Sequence, residues 1–106
     1  MVCRIWSGWT TEDNADAYEQ LLLDEIAPGI VAKRLSGFRE MQVLREITSE
    51  GEVRFTTLMW FESLGDIKAF AGEDYATAVI PLKARALLLR FDAQSRHAEV
   101  LATLPG

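Results

Sequence analysis

Successive stretches of this chain repeat their apolar positions either every second residue or at a period near 3.6, and the switches between the two mark its elements. Val2 to Trp9 is the first period-two run, with Val2, Arg4, Trp6 and Gly8 on one face and Cys3, Ile5, Ser7 and Trp9 on the other. Neither face is purely polar, so both are expected to be covered, one by helices and one by a partner subunit. Thr10 to Asn14 then offers hydroxyl caps and two acids suited to a helix start. The expected inner face of that helix is Ala17, Tyr18, Leu21, Leu22, Glu25 and Ile26, whose apolar members recur at three- and four-residue steps. Pro28-Gly29 is expected to kink or restart it, with Ile30 to Lys33 or Arg34 as the continuation and Ser36-Gly37 as the exit turn.

Phe38 to Ile47 reads as a second strand, with Met41 and Val43 facing one way and Gln42 and Leu44 the other. Ser49-Glu50-Gly51 makes a short hairpin into a third strand, Glu52 to Phe61, which is rich in β-branched and aromatic residues. Ser63 is an N-cap type, and either Leu64, Ile67 and Phe70 or Ile67, Phe70 and Ala71 after it fall on one helical face. The pattern loosens after Gly72, with a short apolar run at Ala76 to Ile80. Pro81 then suits the first position of a helical segment, Leu82 to Leu89. Arg96 to Leu101 reads as the last strand, with His97, Glu99 and Leu101 on one face and Ala98 and Val100 on the other.

This order predicts an α+β, ferredoxin-like βαββαβ fold over a single domain, residues 1–106, in which an antiparallel sheet carries helices on one face. The bare face, with Trp6 or Trp9 beside Leu44 and Leu58, is too apolar for water, which predicts a homodimer joined sheet to sheet.

Composition narrows the partners. The 106 residues are 49% apolar, which supports a packed core, and the formal charge of −5 argues against nucleic acid and anionic membranes. A single cysteine, Cys3, forms no internal disulfide, so no oxidising compartment is indicated. MVCRIWSGWT is too short and polar for a signal peptide, and no apolar run approaches the roughly 20 residues that span a bilayer. A cytoplasmic protein without a membrane partner is expected. One His and one Cys do not assemble a metal site, and glycine-rich phosphate loops are absent.

Four stretches, RIWSGWT, NADAYEQLLLDEIAPGI, SGFREMQVL and above all LMWFESLGDIKAF, resemble the antibiotic-biosynthesis-monooxygenase-like family of dimeric α/β-barrel proteins. The resemblance implies one pocket per subunit between sheet and helices, with no cofactor of the protein's own. Family members oxidise phenolic compounds with dioxygen, cleave haem, or have no assigned reaction. It also implies that Trp60, at the end of the third strand, is the pocket tryptophan. Where several enzyme branches carry a His, in or just after the second helix, this chain has Gly72, Glu73 and Asp74.

The candidate catalytic residues are His97 and Trp60, and the candidate substrate-binding residues are Trp6, Tyr18 and Trp60. Trp6 and Trp9 alternate, so at most one of them shares a face with Trp60. His97 is the only side chain whose ordinary pKa lies near neutrality. It reads either as a general base, oriented by Glu99, or as a surface histidine beside Arg96. Asn14 and Tyr18 read as cap and packing residues or as pocket groups. Lys83, Arg85 and Arg90 read as a solvated helix face or as an anion site, and Cys3 as a buried inert thiol. The expected function is cofactor-independent oxygenation of a small aromatic or quinol-like compound. The rivals are a non-catalytic protein that binds a small hydrophobic ligand or has only a structural role, and haem binding.

Overall fold

The computed structural model describes residues 1–48 and 51–106, so the hairpin residues Ser49 and Glu50 lie outside the described residues. Five strands form one antiparallel sheet: β1 (Val2–Thr10), β2 (Phe38–Ile47), β3 (Val53–Phe61), β4 (Arg90–Phe91) and β5 (Arg96–Glu99). Their order is β2-β3-β1-β4, with β5 also paired to β1. The chain is therefore α+β with an open antiparallel sheet. Gly51, the last residue of the hairpin connection, has φ 75°, a left-handed conformation that glycine adopts without a Cβ penalty.

The first helix starts where its cap predicts. The Thr11 hydroxyl accepts the Asn14 N–H at 3.1 Å, and α1 runs Glu12–Leu21. Pro28 does not break it. A five-residue π-helical segment, Leu22–Ile26, joins α1 directly to α2 (Ala27–Ala32), and the Ala27 N–H bonds the Leu22 carbonyl. Proline lacks an N–H and crowds the carbonyl four residues earlier; widening the turn just upstream relieves that crowding without ending the helix. The inward face of the first helix also differs from the expected one, for Ala17 because the buried stripe runs through Ala15, Tyr18 and Leu22. Ala15, Tyr18 and Leu22 are buried, whereas Ala17 and Glu25, expected inside, are exposed, and Glu25 reaches Lys83 at 3.4 Å.

Ser63 caps α3 (Leu64–Ala71), which buries Ile67 and half-buries Phe70. Leu64 stays on the exposed side. Pro81 stands at the cap of α4 (Leu82–Leu87) rather than inside it, because its ψ of 149° is extended. The helical segment ends two residues earlier than expected, since Leu88 turns extended toward β4. The last strand likewise stops at Glu99.

Side-chain alternation along β3 divides the sheet sharply. Val53, Phe55, Thr57, Met59 and Phe61 are buried, while the residues between them are half-buried. Val53 and Phe55 pack with Ala15, Tyr18 and Leu22 of the first helix and with Ala84 of α4. Met59 and Phe61 pack with Ile67. Both clusters lie on one face, and on the other face no helix packs among the described residues. No described helix is long and apolar enough to cross a membrane.

Candidate functional site

On the helix-covered face the core is incomplete. A partly open hollow of about 80 Å3 lies between sheet and helices. Arg4 and Trp6 of β1, Thr57 and Met59 of β3, Tyr18, Phe70 and the 78–81 segment are among its walls. The register explains this set: Arg4 pairs with Met59 and Trp6 with Thr57, so all four project to the same side.

Trp6 is held firmly. Its indole N–H donates to the Asp92 carbonyl at 2.9 Å, and Asp92 also accepts the Ser7 N–H through Oδ2. The ring lies over Gly8, where an added Cβ would come within 2.7 Å of it. Gly8 is thus required by close approach, not by an unusual φ. Tyr18 is buried edge-to-face on Phe55, with ring centroids 4.9 Å apart. Burial pushes its phenol up to about 12, so the hydroxyl stays a neutral donor at any ordinary pH.

Arg4 is the wall residue that the sequence reading did not single out. It is 5% exposed, and its guanidinium donates to the carbonyls of Tyr75 and Thr77 and to Nε2 of His97 at 2.9 Å. It also stands 5.8 Å from the centre of the Phe70 ring. One sign was available in the sequence. An arginine shares the inward parity of Trp6 in the middle of an apolar strand, where a cation is seldom placed without a use.

His97 does not enter this hollow. It pairs across the sheet with Arg4 and packs edge-on to Tyr75, with ring centroids 5.1 Å apart. It lines a separate surface depression with Tyr75, Glu62 and Glu99. Because a guanidinium only donates, Nε2 is the acceptor and the imidazole is neutral in this contact. Arg4, not Glu99, is the group that orients it. Burial first, and the neighbouring Arg4 charge second, lower the His97 pKa from its ordinary 6.5.

With the folded-state value below the unfolded one, the unfolded chain protonates first as pH falls. The stabilisation from neutral His97 is complete above 6.5 and is lost as pH drops through 6.5 toward the lowered value. The melting midpoint is expected to fall between pH 7 and about 5.5, and to fall less in His97→Gln. Parallel midpoint curves for the two proteins would contradict a neutral, arginine-bound His97.

Trp60 is on the opposite side of the sheet from Trp6 and Tyr18. It pairs with Cys3, and its face carries Ile5, Trp9, Leu44 and Leu58. The expectation that Trp60 lines one pocket with Trp6 and Tyr18 is therefore corrected, because the alternation of β3 points it away from them. Trp9 is the tryptophan that shares its face. Cys3 is buried there, with its thiol pushed up by burial.

The remaining candidates are engaged elsewhere. Asn14 donates its backbone N–H to the Thr11 cap and its side-chain amide to the Leu87 carbonyl at 3.4 Å. Lys83 meets Glu25, Arg85 stands over Phe91, and Arg90 stands over Trp9 and pairs with Glu52 at 2.6 Å. None of the three lines the hollow. No group of three or more His, Cys, Asp or Glu is arranged to hold a metal among the described residues.

Sheet, helices and hollow together define a small α+β chain with one aromatic-lined, cation-bearing site between its two layers. No family model matches the chain, and none of the curated proteins matches it.

Proposed function

We propose that this chain binds a small aromatic or quinol-like compound in the hollow between sheet and helices. We further propose that it does so as a ferredoxin-like, dimeric protein of the antibiotic-biosynthesis-monooxygenase-like kind. The observation that carries the reading is the cavity wall itself, with Trp6, Tyr18 and Phe70 presenting aromatic surface around one buried cation. Such a site is apolar enough to desolvate a ring and polar enough to orient it. In the catalytic form of the proposal the ionised substrate itself reduces dioxygen, and the protein contributes a dry, oriented pocket without a cofactor. The open sheet face, with Trp9, Leu58 and Trp60 half-buried and Leu44 exposed, supports a sheet-to-sheet dimer.

A second reading, ligand binding without turnover, is favoured by one observation. The Nε2 lone pair of His97 is taken up by Arg4, which leaves the only histidine unavailable as a base for the hollow. Oxygen uptake with anthrones, naphthols and hydroquinones separates the two readings. Turnover is expected to be lost in Trp6→Ala, with the variant still folded, and to survive in His97→Gln. Saturable binding of these compounds without oxygen uptake would leave only the binding reading, and no binding by any of them would sink both.

A further inference from the structure

The arginines of this chain divide by environment. Arg39, Arg45, Arg54 and Arg90 are partly exposed, and each has a carboxylate partner: Glu62, Asp16 and Glu19, Glu46, and Glu52; Arg34, Arg85 and Arg96 are exposed to water and form no ion pair among the described residues. Arg4 is the buried one, and no Asp or Glu bridges it among the described residues. Its three hydrogen-bond partners are two carbonyls and a neutral imidazole. In this acidic chain the deeply buried guanidinium thus has no counterion among the described residues, on the wall of an apolar hollow. Burying a charge without an opposite charge is unfavourable, and an anionic ligand group that completed the pair would offset that cost.

We infer that the ligand of this hollow carries an anionic oxygen on an aromatic frame, a ring-bound carboxylate or an ionised phenol, and that Arg4 is the residue that binds it. This rests on the binding reading above and specifies its ligand class. The surrounding chemistry selects that class. Trp6, Tyr18, Phe70 and Met59 offer ring and thioether surface, which suits an aromatic body and not a nucleotide or free phosphate. The guanidinium is planar and held on two sides by the carbonyls of Tyr75 and Thr77, so its orientation is set before the ligand arrives. The neutral His97 beside it adds no competing charge.

The test is a matched pair of probes, 2-naphthoate and its neutral analogue 2-naphthamide, titrated calorimetrically into the full chain at pH 7.5. Naphthoate is expected to bind about tenfold more tightly or better, the usual scale of a charge-assisted hydrogen bond in a desolvated site. In Arg4→Gln the preference is expected to fall to within about twofold, and in Arg4→Lys to survive in part. Equal affinity of wild type for the two probes would overturn the inference while leaving the aromatic-binding reading intact. A preference that persists undiminished in a folded Arg4→Gln would overturn it in the same way. If neither probe binds wild type, the binding reading fails, and this inference with it. Equal wild-type affinities overturn the inference even if Arg4→Gln does not fold, and a preference undiminished in Arg4→Lys and in Arg4→Ala would then remove Arg4 from it.

Discussion

Phe55→Ala is expected to lower the unfolding free energy by about 3–5 kcal/mol, the largest stability effect anticipated for a single truncation in this chain. Phe55 is fully buried in the middle of β3, edge-on to Tyr18 and beneath the Arg45 guanidinium, 5.6 Å from its ring centre. Truncation removes the transfer free energy of the ring and leaves a void that Tyr18 and Leu22 fill only in part. A domain of this size has about 5–15 kcal/mol in total, so the variant is left close to the threshold of folding. Urea unfolding at an unchanged m-value measures the loss, and a change below about 1 kcal/mol would show that the ring is not the keystone of the cluster. Because Tyr18 is both a neighbour of Phe55 and a wall of the hollow, ligand affinity is expected to fall in the same variant.

Trp60→Glu carries the second large effect, on assembly instead of stability. Trp60 shares the open sheet face with Trp9, Ile5 and Leu58, so a carboxylate there is desolvated in the middle of the proposed sheet-to-sheet contact. A central tryptophan at such a contact is commonly worth about 2 kcal/mol or more, roughly thirtyfold in the dissociation constant. Sedimentation equilibrium is expected to show two chains for wild type and one for the variant, while binding to the hollow is kept. Two results would go against this. A wild type that stays monomeric at every concentration removes the dimer, and a dimeric variant that no longer binds ligand moves Trp60 back to the site.

Tryptophan parity is where residue-level reading of the site met its limit. Trp6, Trp9 and Trp60 are all visible in the sequence, and alternation already says that Trp6 and Trp9 oppose each other. What alternation within one strand does not give is the register between strands. Pairing Trp6 with Thr57 sends Trp60 to the far side, and a slip of one residue would have reversed that outcome. The register is chosen by the whole β3 face, because Phe55, Met59 and Phe61 must all be inside together to cover the helices.

The π-helical turn was hidden for a related reason. Pro28 signals a disturbance, but whether a helix breaks, kinks or widens depends on what lies beneath it. Here Tyr18 and Leu22 anchor one end on the sheet while Ile26 and Ile30 line the hollow at the other, so continuing through a wider turn keeps both contacts.

Local chemistry in the sequence was sufficient to determine the three long strands and the starts of α1 and α3, though not the π-helical turn or the short strand β4. The Thr11 and Ser63 caps, the alternation of β3 and the glycine of the hairpin connection act over a few residues, and each operates much the same in any context. Tertiary structure alone decided which face each tryptophan serves, where His97 spends its lone pair, and that Arg4 is buried with no acid beside it among the described residues. Those properties depend on pairing residues some 50 to 90 positions apart, as in Arg4 with Met59 and Arg4 with His97, and on excluding water from the space between them.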